Sequence, residues 1–188
     1  MKLTLDVENT VTKRDGKMHL DPFEADNSLT MVGMLNDQGI ERIVTFDHNE
    51  VNADEYGHVL VQEFLDATTV LICHNAAYDL MWLWESGFKY DGPVFDTMLA
   101  EYVLQRGIKE PLSLQACAER YELDTKKQDT LKEYFSKGYS TRDIPHNELS
   151  EYLSADLHAT QQLADKLIYR LNTESDAGLR GTVDLTNQ

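Results

Sequence analysis

The sequence predicts an α/β domain: one mixed β-sheet, made of an antiparallel hairpin plus parallel strands, flanked by α-helices. Three observations carry that class. The apolar runs 29–36 and 40–47 are separated by Asp37-Gln38-Gly39, a hairpin signature. The run 69–73 is short, β-branched and apolar throughout, the mark of a strand covered on both faces, and a helical stretch over 76–85 follows it directly. Residues 148–171 carry Leu149, Leu153, Leu157, Thr160, Ala164, Leu167 and Leu171 at helical spacing, a stripe that must face a sheet.

The remaining elements follow in order. Residues 2–9 alternate and end in acids, which predicts a first strand. Residues 54–66 place Val59, Leu60, Phe64 and Leu65 at helical spacing. Gly87 is suited to close the helix 76–85 from its C-cap. Val94-Phe95 is a short strand, and Asp96 is placed to cap a helix over 97–105. Further helices fit 113–122 and 128–137. The division expected is a domain over 1–172 and a loose polar tail or connection over 173–188.

Composition limits what such a domain can do. At 188 residues, 41% hydrophobic and 27% charged, the chain is long enough for one domain with a real core. It has no apolar run of membrane-spanning length and no secretory signal at Met1-Lys2-Leu3-Thr4, so a cytoplasmic address is expected. Cys73 and Cys117 are far apart with no CxxC spacing, which argues against a disulfide framework or a zinc site. The net charge of −16 argues against tight nonspecific binding of duplex DNA by phosphate neutralisation. An acidic chain can still handle nucleic acid where divalent cations carry the phosphate contact and carboxylates hold the cations.

Three acidic clusters stand out. Asp6-Val7-Glu8 closes the first strand, where i and i+2 side chains share one face; a solvated strand end would look the same. His74-Asn75-Ala76-Ala77-Tyr78-Asp79 follows the apolar strand, at the place where open α/β sheets gather ligands. Asn75 is suited to cap the helix there, and Asp79 lies one turn in. Tyr152 and Asp156 stand at i and i+4 on the long helix, bordering its apolar stripe. Tyr139 and Asp143 share that spacing, but Gly138 and Pro145 bracket them and argue against a regular helix carrying both. Four carboxylates converging without a cation would repel one another; hard divalent cations with oxygen ligands remove that cost. His74 and His158 read as local hydrogen-bonding groups, because such sites prefer oxygen.

The order Asp-x-Glu, Asn-x-x-Tyr-Asp, Tyr-x-x-x-Asp resembles the three motifs of the DEDD (DnaQ-like) 3′–5′ exonuclease superfamily, in its tyrosine branch. The histidine branch is excluded because Glu151 stands where its histidine would be. The segments 95–104 and 112–121 are similar to the proofreading exonuclease domain of family A (Pol I-like, including phage) DNA polymerases, and the resemblance runs from about residue 2 to 171. It implies an RNase H-like fold and a two-metal hydrolysis of phosphodiester bonds at 3′ ends, with Mg²⁺ or Mn²⁺ as cofactor and nucleoside 5′-monophosphates as product. It implies metal ligands Asp6, Glu8, Asp79 and Asp156, with Asp6 bridging the ions and Tyr152 orienting the attacking water. Asn75 would contact the terminal nucleotide. Asp96 is shared with the family but needs only its helix-cap role. The implied partners are a single-stranded DNA 3′ end and a DNA polymerase domain or subunit, in the cytoplasm of a bacterium or of a phage-infected cell.

For the rest of the strand, residues 125–142 hold Lys126, Lys127, Lys132, Lys137 and Arg142 against Asp129 and Glu133, a basic stretch that could track a backbone or simply be a solvated helix face. Trp82, Trp84, Phe88 and Tyr134 could stack bases, though Trp82 and Trp84 fit core positions better. Two rivals stand beside this reading: an RNase D-like RNA 3′-trimming enzyme, and a catalytically silent module that binds protein.

Overall fold

The computed structural model describes residues 1–123, 129–173 and 176–186. Along the chain come β1 (Lys2–Asn9), β2 (Thr12–Arg14), β3 (Lys17–His19), β4 (Leu29–Asn36), β5 (Glu41–Thr45), α1 (Gly57–Asp66), β6 (Val70–Cys73) and α2 (Ala76–Glu85). Then follow β7 (Val94–Asp96), α3 (Thr97–Leu104), α4 (Leu114–Arg120), α5 (Asp129–Ser136), a 3₁₀ turn Thr141–Asp143 and α6 (His146–Leu171). A second 3₁₀ turn, Ala177–Leu179, leads into α7 (Arg180–Thr186).

Five strands form one sheet in the order β5-β4-β1-β6-β7, with β1 antiparallel to β4 and parallel to β6, and β6 parallel to β7. This is the mixed, RNase H-like α/β arrangement expected. Alternation along β1 divides its side chains between two layers. Leu3, Leu5 and Val7 pack with Trp82 and Leu83 of α2 and with Val61 and Leu65 of α1. The other set, Thr4, Asp6 and Glu8, faces away from that layer. There α6 packs Leu149 and Leu153 with Met31 of β4. The whole predicted stripe of α6, from Leu149 to Leu171, is buried.

Gly33 of β4, paired across the ladder with Asp6, makes the approach of α6 possible. A Cβ at Gly33 would lie 2.8 Å from both Leu153 Cγ and Leu157 Cδ1, closer than carbon atoms pack.

Some expectations needed correction. The DG turn Asp15-Gly16, with φ of +52° and +74°, closes a β2–β3 hairpin that the sequence reading passed over. α1 begins at Gly57 instead of residue 54, because the Asp54 carboxylate accepts from the Thr45 N–H at 2.8 Å and holds the loop to β5. The stretch from 173 onward is not loose throughout: Val183 of α7 is buried with Leu163, Leu167 and Leu171 of α6. Trp84 is exposed, whereas Trp82 is core.

Gly33→Ala should lower stability by about 1–3 kcal/mol, the range for overpacking a filled core. Gly181→Ala in α7, whose added Cβ meets nothing within 4 Å, serves as the control and should be neutral or stabilising. Thermal melting of the two variants checks this; equal midpoints would mean that α6 does not rest on the glycine.

Candidate active site

Asp6 and Glu8 are the last acids of β1 and are half-buried, while Asp156 of α6 and Asp79 of α2 are buried. Each occupies the place its local pattern dictates. The period-2 pleat gives Asp6 and Glu8 one face, the face α6 covers. The 3.6-residue period of α6 turns Asp156 and Tyr152 toward that face when Leu149, Leu153 and Leu157 are inside. Asp79 lies in the first turn of α2, where the helix dipole favours a negative charge.

The electrostatics show which of these groups sense one another's charge. Burial pushes the Asp6 carboxyl up from the ordinary carboxylate range to about 8, with the Asp156 charge adding to it and the Val7 N–H offsetting part. Glu8 is pushed well up by burial, then by Asp6 and Asp156. Asp79 is also raised well above the usual range, by burial first and then by Asp6, and it too is partly relieved by the Val7 N–H. Asp6 is therefore the common neighbour. Glu8 and Asp156 adjoin it on the α6 side, while Asp79 reaches it from α2, on the other side of β1. Tyr152 donates its hydroxyl to Asp156, and burial together with Asp156, Glu8 and Asp6 raises its pKa far enough to keep that hydroxyl protonated. Among the described residues, no three His, Cys, Asp or Glu groups are already set as ligands of a single ion.

Three further residues belong to this neighbourhood through contacts that the sequence does not announce. Cys73, fully buried at the end of β6, donates its thiol to Asp79; burial, then Asp79, Asp6 and Asp96, hold that thiol protonated. The Tyr78 hydroxyl donates to Asn9 Oδ1 at 2.7 Å, and its ring lies near enough to Glu8 and Asp79 to sense their charge. Asp96 caps α3 as expected, its Oδ1 accepting from Met98 N–H at 2.8 Å and Leu99 N–H at 3.2 Å. It also accepts from Asn75 N–H at 3.1 Å and Ala76 N–H at 2.9 Å.

This last pair corrects the expectation for Asn75. Its side chain makes no capping bond. The residue instead adopts the left-handed conformation, φ +73° and ψ +53°, which asparagine tolerates better than most residues. Its side chain is left exposed.

The histidines behave as local hydrogen-bonding groups. His74 Nε2 is 2.8 Å from the Leu112 carbonyl and Nδ1 2.8 Å from the Thr97 hydroxyl, with burial lowering its pKa. His158 Nε2 is 2.9 Å from Glu41 Oε2. Tyr139 and Asp143 share no helix, since a turn and a 3₁₀ segment separate them from α6. Lys126 and Lys127 lie outside the described residues. Of the other cations in that basic stretch, Lys137 pairs with Glu133 at 2.7 Å and Arg142 with Asp47.

Comparison with known proteins gives the fold and site a context. A stretch of 96 residues is 33% identical to DNA polymerase I of Synechocystis sp., covering 51% of this chain and only 10% of that polymerase. NrnC of Brucella melitensis with bound Mg²⁺ superposes with a TM-score of 0.65 at 19% identity, over 98% of this chain and 79% of that one. The family B DNA polymerase of Pyrobaculum calidifontis gives a TM-score of 0.57 at 16% identity, over 90% of this chain and 25% of that one. At these identities the two structures attest the fold. The 3′-5′ exonuclease family profile matches residues 17–172, starting after Asp6 and Glu8 but including Asp79, Tyr152 and Asp156. With most of its length inside that match, the chain belongs to the 3′-5′ exonuclease family.

Proposed function

We propose that this 3′-5′ exonuclease hydrolyses the terminal phosphodiester of unpaired DNA 3′ ends with two divalent cations, Mg²⁺ or Mn²⁺, in a proofreading role beside a polymerase domain or subunit. The observation that supports the reading is that Glu8, Asp79 and Asp156 are each coupled electrostatically to the one carboxylate of Asp6. The donor set fits the ions: it is all carboxylate oxygen, and Mg²⁺ takes one or two carboxylates at a time while keeping several waters. Asp6, Glu8 and Asp156 would hold one ion and Asp6 with Asp79 the other. Bound there, divalent cations neutralise phosphate charge and lower the pKa of a coordinated water.

The chain's own groups do the rest. Tyr152, beside Asp156, is placed to orient the attacking water by hydrogen bonding. Asn75, exposed beside the turn, is free to meet the terminal nucleotide. The NrnC structures with bound Mg²⁺ and bound to pGG share this fold, and the first supports a divalent cation as cofactor.

A groove of roughly 390 Å³ supports the unpaired strand as substrate. It starts at Val11, three residues beyond Glu8, between the β2–β3 hairpin (Lys13, Met18, Leu20) and the end of α5 with its following turn (Phe135, Tyr139). Its lining includes a lysine and no acid, in a chain with 33 acids. Tyr134, whose hydroxyl donates to Glu148, braces Tyr139 edge-on with ring centres 5.5 Å apart and so supports a stacking ring instead of stacking itself.

Digestion of 5′-labelled DNA and RNA strands, frayed and fully paired, with and without EDTA, tests the reading. Stepwise shortening of unpaired DNA from its 3′ end, abolished by EDTA, is expected. Asp6→Ala should cost on the order of 10³-fold in kcat, since it removes several kcal/mol of charge stabilisation. Preference for RNA would favour the trimming enzyme, and no cleavage at all the silent module. Replacing Phe135 and Tyr139 together by alanine should raise KM for the strand about tenfold with kcat nearly unchanged, because a stacked base is worth about 1–3 kcal/mol.

Stability gives an independent check. In the metal-free protein the folded state holds protons that the unfolded chain has released above the ordinary carboxylate range. The contribution of Asp6 to folding stability is therefore fullest at acidic pH and drains away as pH rises toward about 8. In EDTA the melting temperature should fall across that window. Millimolar Mg²⁺ or Mn²⁺ should raise it most at the alkaline end, and Asp6→Asn in EDTA should flatten the slope. A wild-type melting curve indifferent to pH and to metal would contradict the shared site.

A further inference from the structure

Asp96 is buried to 3% exposure at the end of β7, beside Cys73 in the parallel ladder with β6. As the N-cap of α3 it does what Ser, Thr or Asn could do without a charge. It does more than that. Its two oxygens accept from backbone N–H groups at the starts of two helices: Oδ1 from Met98, Leu99 and Asn75, and Oδ2 from Ala76. The left-handed backbone of Asn75 lets successive N–H groups, its own and that of Ala76, converge on this one carboxylate.

A carboxylate here is costly. It is buried, and it stands close enough to Asp79 to add to that residue's charge burden. Capping α3 alone does not require it, since a hydroxyl would serve. What does require a two-oxygen acceptor is the tie between α3 and the first amides of α2. That tie fixes where α2 begins, and Asp79 sits in its first turn. A displacement of the Asn75–Ala76 turn would pass undiminished to the Asp79 carboxylate and loosen its reach to the Val7 N–H and to Asp6.

We infer that Asp96 is a positioning residue: by binding the opening amides of α2 and α3 together it holds Asp79 in place for cation binding. The inference rests on the metal-dependent reading of the site proposed above. Asp96 itself would touch neither cation nor substrate.

The test compares Asp96→Ser, Asp96→Asn and, as a matched control, Ser113→Ala. Serine keeps a cap on α3 but is too short to reach α2. Asparagine keeps one acceptor oxygen and loses the bond to Ala76. Ser113 caps α4 through Ala116 N–H at 3.3 Å, away from the acids, so its loss measures what removing a cap does to stability alone. The readouts are the Mn²⁺ concentration giving the half-maximal rise in melting temperature, and the Mn²⁺ dependence of kcat set against the strand KM. Expected are a shift of Asp96→Ser to about tenfold higher Mn²⁺ in both, the lower end for residues that orient metal ligands, with strand KM within about twofold. Asp96→Asn should fall between it and the wild type, and Ser113→Ala should match the wild-type metal requirement. If Asp96→Ser does not fold, Asp96→Asn carries the same comparison. A wild-type Mn²⁺ midpoint in the Asp96 variants, or an equal shift in Ser113→Ala, overturns the inference while leaving the metal reading intact. If the wild type itself shows no Mn²⁺-dependent rise, the metal reading fails first.

Discussion

The site depends on the contact between α6 and the sheet at Gly33. Only there, opposite Asp6, does β4 lack a side chain, and Leu153 and Leu157 fill the space. The same helix turn that lowers those leucines onto the glycine brings Tyr152 and Asp156 down beside Asp6 and Glu8. Burying each leucine contributes about 1.5–3 kcal/mol. Several such residues along α6 suffice to hold together carboxylates that would otherwise move apart. Apolar packing thus supplies the force, and the acids are carried to one another by residues that share none of their chemistry.

β1 is the axis of the arrangement because it is covered on both faces. From one side α6 delivers Tyr152 and Asp156, and from the other α2 delivers Asp79. Asp6 senses the charge on both sides, whereas Glu8 senses Asp6 and Asp156, and Asp79 senses Asp6. The two halves are held by different means. The α6 half is locked by a long buried stripe. The α2 half rests on a short helix whose start is tied by hydrogen bonds to Asp96, so a small change in that turn moves a larger fraction of what fixes the acid.

What the sequence made legible follows the same physics. Period-2 alternation ending in Asp6 and Glu8, and the stripe that orients Asp156, are local patterns, and both elements lie where those patterns put them. The helix end at Gly87 was equally local: its φ of +89° and the Phe88 N–H bond back to the Leu83 carbonyl at 2.9 Å follow from glycine alone. The second role of Asp96 joins residues 75 and 96, a pairing no local pattern announces. Asn75 misled because asparagine serves helix starts in two ways, by side-chain capping and by tolerating left-handed backbone, and the sequence does not distinguish them. The Asp15-Gly16 hairpin was readable but short, and its flanking strands have only three residues each.

An acidic protein that handles a polyanion must obtain affinity from something other than lysine. The net charge of −16 would oppose a phosphate backbone at long range. Among the groove residues Lys13 carries the positive charge, and aromatic and aliphatic side chains form much of the remaining surface. Two consequences follow under the proposed function. Strand binding would involve few phosphate contacts, so its salt dependence would be shallow compared with that of a basic nucleic-acid binder. The cations would also attract the terminal phosphate that the rest of the molecule repels, drawing the substrate to the one place where its charge is compensated. Binding and catalysis would then share a cause: a strand end without cations at Asp6 would be neither held nor cut, and an interior segment of duplex, whose bases cannot enter the groove, would meet mostly repulsion.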